Sequence, residues 1–392
     1  MSETADIIII GGGVIGTSIA YHLAKQGSAQ VTLLERKALC NGTTGHSGAI
    51  VRQHYSSDFT IRMARDCLAV FQHFDEHVGG DCGFVTTGMI IMVNEQGAEV
   101  LRANVKMQRE QGVDTQLIQP EEVGDVAQGY SGAGVTLACY EPGTGVADPM
   151  ATTHCFANRA REFGATIREG VTVTHILTAN ERVAGVHTDA GDLQASKVVL
   201  AANVWSVALA QSIGISLPIT ATRHPMVVLR RPDDFGGRSG LHAVGLDLTR
   251  DIYLRPDSGG ITLVGSTENV FTPSNPDDYA QGLTEQEIAH FRTMAGGSVP
   301  ALARAVPRGG WAGIYDDTPD FHPILDALPG YEGLYGAFGF SGHGFKLSPV
   351  VGSWMAQFIL TGTKPDDMQH FAFDRFTQDR EIHPSYQSGV LG

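Results

Sequence analysis

The chain has 392 residues, 48 of them glycine, and a formal charge of −15 from 42 acidic against 27 basic residues. Glycine well above the usual ~7%, with no Gly-x-y period and no Ser- or Pro-rich tract, excludes a collagen-like or low-complexity chain, and the acidic balance argues against nucleic acid or anionic membrane as partner. No apolar run reaches the roughly 18 residues of a membrane span, no basic segment precedes Ile7 as in a signal peptide, and Cys40, Cys67, Cys82, Cys139 and Cys155 fit neither a disulfide framework nor a CxxC metal site, so a cytoplasmic protein of two domains is expected.

The strongest signal comes first in the chain. Asp6–Ile10 reads as a buried strand, Gly11-Gly-Gly13-Val14-Ile15-Gly16 as a tight turn, and Thr17–Gln26 as a helix. Val31–Leu34 is a second strand, and Glu35 ends it. This order is the dinucleotide fingerprint. Gly11 permits the turn, Gly13 lets backbone N–H groups approach a pyrophosphate, and Gly16 lets helix and strand pack closely. The helix N-terminus attracts phosphate, and Glu35 can accept from a ribose diol. Arg36 reads as a surface arginine, with a 2′-phosphate partner as the alternative. The fingerprint alone does not separate NAD from FAD.

Later elements follow in order. Residues 41–55 form a small, polar, glycine-rich loop, Phe84–Val93 a strand, Gln96–Gln111 a helix, and Met150–Phe163 a helix begun by Asp148-Pro149 and stopped by Gly164. Gly170–Val173 and Lys197–Leu200 read as strands, the latter leaving through Ala202 and Asn203 toward Trp205. Arg223–Leu229, Ile252–Arg255 and Gly260–Gly265 read as a largely antiparallel sheet, and Thr284–Met294 as a helix. Gly339–Gly344 leads into a helix with Pro349 in its first turn, and the chain after about Phe373 reads as a polar tail with little packing.

Three stretches carry a family resemblance: Asn41-Gly-Thr43-Thr44-Gly-His46-Ser47-Gly48-Ala-Ile-Val-Arg52, then Thr318-Pro-Asp320, then Gly339-Phe-Ser-Gly342-His343-Gly344-Phe-Lys346. They resemble the D-amino acid oxidase-type flavoproteins, which include glycine oxidase, sarcosine oxidase and dimethylglycine dehydrogenase. The resemblance implies an α/β fold: a Rossmann-like FAD-binding domain from residues 1–82, 146–220 and 312–392, and a substrate domain with a mostly antiparallel sheet from 83–145 and 221–311. It implies FAD at Gly11, Gly13, Val14, Ile15, Gly16, Glu35 and Arg36, at Thr43, Thr44, His46, Ser47 and Gly48, at Val173, Ala202 and Trp205, and at Gly339, Gly342, His343, Gly344 and Lys346. The FAD is expected to be non-covalent. In the dimethylglycine dehydrogenase branch a histidine at the place of His46 carries the flavin covalently, so that link is the alternative; the tryptophan usual before it is Gly45 here.

The resemblance also implies the reaction. The family oxidises an amine carbon by hydride transfer to flavin N5, and the imine then hydrolyses. Arg52 and Lys346 match positions that hold a substrate carboxylate, and Tyr253 matches an active-site tyrosine that bonds the carboxylate or lines the pocket. An arginine fork with a lysine beside it suits a carboxylate. The implied substrate is a small amino acid or N-methyl amino acid, with a 2-hydroxy acid as the alternative. The electron acceptor is O₂ or an electron-transfer partner. In sarcosine oxidase a lysine in the strand matching Gly260–Gly265 activates oxygen; its absence here favours a dehydrogenase, either alone as a homo-oligomer or as the flavin subunit of a hetero-oligomer. A flavin-binding scaffold without turnover is the remaining reading.

Overall fold

A computed structural model describes residues 3–27, 29–235, 240–268, 275–383 and 385–386. Two large sheets organise it. The first has six strands in the order Thr166–Glu169, Val31–Glu35, Ile7–Ile10, Lys197–Leu200, Leu334–Phe338 and Ile324–Ala327, parallel except for the last pair. Ile7–Ile10 lies near its centre with all four side chains buried, as an isoleucine run covered on both faces requires. The fingerprint helix, Val14–Lys25, and the late helix Gly344–Thr361 cover one face. They touch closely: Ser18 Oγ donates to the Ser348 carbonyl at 2.8 Å, and a Cβ on Gly352 would come within 2.2 Å of Ser18 Oγ.

The second sheet has eight strands, in the order Val306–Asp317, Thr220–Arg230, Ile261–Ser266, Ile252–Asp257, Val244–Asp247, Met89–Val93, Leu137–Glu141 and Gln116–Ile118. Every pair is antiparallel except Val244–Asp247 with Met89–Val93. Val306–Asp317 runs unbroken through position 312, where a domain boundary is expected.

Helices at Pro149–Glu162, Glu95–Glu110 and Glu285–Ser298 lie close to expectation. The Asp148 carboxylate caps the first by accepting from Ala151 N at 2.8 Å. Four expectations need correction. Gly170–Val173 is not a strand; the strand there begins at Val173 and runs to Ala179. Phe84–Val93 is two strands, Val85–Thr86 and Met89–Val93. Gly88 breaks it at φ 70°, where a Cβ would strike the Tyr140 hydroxyl at 2.1 Å. Pro349 lies in the second turn of its helix, which begins at Gly344; there it removes one intrahelical N–H.

The chain after Phe373 is not a loose tail. Arg375 is 1% exposed and binds Asp320 with two nitrogens, at 2.7 and 2.9 Å. Ile382 N donates to the same carboxylate at 3.1 Å, and Tyr386 is buried against the second sheet. The polar composition hid Phe373, Phe376 and Tyr386, which supply the apolar contact, and Arg375 is buried because a carboxylate meets it. Thr318-Pro-Asp320 is thus the anchor of this segment.

Candidate active site

A cavity of about 930 Å³ runs along the carboxyl ends of the first sheet, near the upper end of the roughly 300–1,000 Å³ of ligand pockets. Gly11, Gly13, Val14, Ile15, Glu35, Arg36, Thr43, Thr44, His46, Ser47, Val173, Ala202, Trp205, Gly342 and Gly344 all line it. The sequence thus picked out residues from six separated segments that meet around one space. Gly16 and Gly339 do not line it. Gly16 packs behind the turn, where a Cβ would come within 2.0 Å of the Gly11 carbonyl oxygen. Gly339 donates its N–H to Asp316 at 2.6 Å.

Two helices begin on the cavity, at Gly13–Val14 and at His343–Gly344. Neither has a side-chain cap on its N-cap residue or an acid in its first turn, so both present a positive end. Gly11 adopts φ 117°, and a Cβ there would meet the Ala201 carbonyl oxygen at 2.4 Å; only glycine fits. Glu35 accepts from Gly12 N at 2.7 Å and from Lys37 N at 2.8 Å, which fixes its carboxylate at the cavity wall.

The loop at 43–48 is pinned on both sides. Thr44 Oγ1 accepts from Val14 N at 3.2 Å, and Thr43 Oγ1 donates to the Ile314 carbonyl at 2.9 Å. His46 Nδ1 donates to the Gly42 carbonyl at 3.0 Å, and Trp311 Nε1 to the His46 carbonyl at 3.1 Å. Asn203 has φ 53°; the left-handed turn needs a residue that tolerates it, and asparagine does.

Arg36 is an ion-pair residue rather than a free surface arginine. It grips Asp277 through both terminal nitrogens, at 3.1 and 2.6 Å, and lies 4.5 Å from the Trp205 ring. Trp205 Nε1 also donates to Asp277, at 3.0 Å. This clasp joins the two halves of the chain across one end of the cavity. Asp277 carries no sequence signal of its own.

A second cavity, of about 60 Å³, adjoins the first and shares Ser47, Tyr315, Gly342 and Phe345 with it. Gly48, Arg52, Tyr253, His343 and Lys346 line this smaller space, not the larger one, with Met89, Val244 and Leu246 from the second sheet as its apolar wall. Arg52 and Lys346 are 4% and 7% exposed. Their cationic heads lie 4.4 and 6.0 Å from the centroid of the Tyr55 ring. Burial, and then the Arg52 charge, hold the Lys346 amine well below its usual range. An anion between them would compensate the buried Arg52 charge and restore the charge on Lys346.

Tyr253 lies over Gly265, where a Cβ would strike its ring at 2.2 Å. Burial, and then the neighbouring Tyr315, push its hydroxyl up, so it stays protonated and can donate. Sequence reasoning missed Tyr315, which lines both cavities and stacks on His224 at 3.7 Å. Its position just before the Asp-Asp-Thr-Pro-Asp run was the available signal. Burial pushes Asp316 up to about 7 and Asp317 up to about 6. Asp316 accepts from Gly339 N and Phe340 N, and Asp317 from Thr222 Oγ1 at 2.5 Å. Among the described residues no group of His, Cys, Asp and Glu could hold a metal ion, and no helix is long and apolar enough to cross a membrane.

The sequence pattern of the FAD dependent oxidoreductase family matches residues 6–358. The chain belongs to this family. It is similar to human mitochondrial sarcosine dehydrogenase, 28% identical over 98% of the chain and 43% of that protein. It is also similar to 4-methylaminobutanoate oxidase (formaldehyde-forming) of Paenarthrobacter nicotinovorans, 29% identical over 94% of the chain and 45% of that protein. The chain therefore spans less than half the length of these relatives. Among solved structures, L-proline dehydrogenase from P. horikoshii matches with a TM-score of 0.88 and 27% identity, over 97% of this chain and 99% of that one.

FAD is the family's cofactor, and the large cavity fits it. It is lined by a fixed acid and by two helix N-termini without an acid in their first turns, and the Gly11 turn leaves no room for a side chain.

Proposed function

We propose that this protein oxidises a small amine bearing a carboxylate, an amino acid or N-methyl amino acid. The observation that carries this reading is the buried pair Arg52 and Lys346 beside a pocket that opens on the cofactor cavity. The pair holds the carboxylate, and Tyr253 and the apolar wall orient the carbon skeleton. The flavin supplies the two-electron acceptor. The names of the relatives, which act on N-methylated or cyclic amino acids, support the same substrate class. We assign residues 83–145 and 221–311 to the substrate side and the remainder to the FAD side. The five thiols, free in the structure, support a reducing compartment.

Anaerobic titration with amino, N-methylamino and 2-hydroxy acids tests the proposal. Bleaching of the flavin by one of the amines is expected; bleaching by hydroxy acids alone, or by none of them, overturns it. We take the FAD to be non-covalent. Acid precipitation is expected to leave the yellow colour in solution, whereas a yellow pellet would show a covalent bond, for which His46 is the candidate.

A further inference from the structure

Arg52 is held from behind by groups that do not face the substrate pocket. Its Nη1 donates to the carbonyl oxygen of His54. Residues 52–55 belong to no helix or strand, so sheet pairing does not fix that carbonyl. The His54 side chain does. It is fully buried and held at both ring nitrogens by two distant parts of the chain. Gln108 Nε2 donates to Nδ1 at 2.8 Å, and Nε2 then donates to the Tyr386 hydroxyl at 3.0 Å; a Glu141 carboxylate oxygen lies 3.5 Å from Nδ1 without a hydrogen bond to it. Glu141 also accepts from Gln53 N at 3.2 Å. The turn carrying Arg52 is thus clamped at Gln53 and at His54.

None of His54, Gln108, Glu141 and Tyr386 lines either cavity. A buried polar cluster is generally less stabilising than apolar packing of the same volume, so core stability is a weak reason for this one. Its connection to Arg52 supplies a stronger reason. A ring gripped at both nitrogens cannot rotate without stranding polar groups away from water.

We propose that His54, clamped by Gln108 and Tyr386 with Glu141 holding the adjoining Gln53, is a positioning residue that sets the Arg52 guanidinium for carboxylate binding. The proposal rests on the reading that Arg52 holds the substrate carboxylate. It makes recognition at residue 52 depend on Tyr386, near the other end of the chain. A guanidinium displaced by a fraction of an ångström keeps its charge but loses the geometry of a bidentate pair.

The test uses full-length FAD-loaded protein with Tyr386→Phe and His54→Asn. The readout is the preference for the amino acid that bleaches the flavin most strongly over its primary amide, from dissociation constants read by flavin absorbance. Tyr386→Phe keeps the ring and its packing, so flavin content is expected to match the parent protein and the melting temperature to fall by only a few degrees. The acid-over-amide preference is expected to fall about threefold to tenfold in Tyr386→Phe and more in His54→Asn, with KM rising and kcat nearly constant. An unchanged preference in Tyr386→Phe, or an equal loss for acid and amide, overturns the proposal, whatever the folding of His54→Asn. Arg52→Ala is the separate control. If it abolishes the preference while the other two variants leave it intact, His54 does not position Arg52 and the carboxylate reading stands. If Arg52→Ala itself leaves the preference intact, the carboxylate reading fails.

Discussion

The two adjoining cavities are built by different means. The large one is walled largely by glycine turns, helix N-termini and strand ends, with Glu35, Asp277 and Asp316 as its fixed acids. The small one is walled by side chains, buried cations on one side and apolar residues of the second sheet on the other. Backbone recognition needs close approach, and therefore residues without a Cβ. Side-chain recognition needs charge kept out of water, and therefore a supporting shell. The first should fail by steric exclusion and the second by misplacement of charge.

Gly11→Ala tests the backbone wall most severely. With φ at 117° and the Ala201 carbonyl in the way, the strain is expected to exceed about 2 kcal/mol. The purified variant should lose most of its flavin absorbance, while retention of full colour would show that the turn is adaptable. Arg52→Ala should leave flavin content unchanged but weaken carboxylate substrates by about 2–4 kcal/mol, measured as KM and as the dissociation constant of the bleaching complex. A variant that loses flavin instead would blur the division between the cavities.

Asp317→Asn sharpens it through pH. Burial raises the folded-state pKa of Asp317 to about 6 from 3.8, so the folded chain binds its proton more tightly than the unfolded chain. The stabilising contribution of the proton is complete below pH 4 and lost as pH rises through about 6. The stability of the parent protein relative to Asp317→Asn should therefore fall across that window, by up to roughly 3 kcal/mol, read by denaturant melts at several pH values. A flat difference would mean Asp317 is not buried as an acid. The smallest effect is expected from Asp277→Ala. Its pair with Arg36 is half-exposed and contributes about 1 kcal/mol or less, so FAD should dissociate only a few-fold faster. A loss of tens-fold would make the clasp a main element of cofactor binding.

The same contrast explains what was legible in the sequence. The backbone wall announces itself because its parts are contiguous: strand, Gly11–Gly16, helix, strand and Glu35 lie within a few dozen residues, and each spacing has one geometric meaning. The positive φ of Asn203 could be anticipated because few residues accept it. Arg52, Tyr253 and Lys346 meet in the small cavity, but only the family resemblance linked them, since nothing local in the chain brings 52, 253 and 346 together. Arg375, Asp277 and Tyr386 were not legible. Each is an ordinary polar or aromatic residue whose partner (Asp320, Arg36 and His54) lies far away in the chain, and burial of that kind is created by tertiary packing alone. The break at Gly88 was missed because the β-branched Val85, Thr86 and Thr87 read as strand up to it and the apolar run resumes directly after it, whereas the obstruction comes from Tyr140 on a neighbouring strand.

The contact between Ser18 and Gly352 has a further consequence. The two helices whose positive ends face the large cavity are locked together by a hydrogen bond and by an approach that no side chain could enter. Tightly packed helices shift as a unit, so the spacing between those two ends is fixed by the protein and not adjusted to the guest. The cleft is a ruler: it selects molecules whose anionic groups are the right distance apart, and a shorter nucleotide reaching one end only would forgo the attraction of the other.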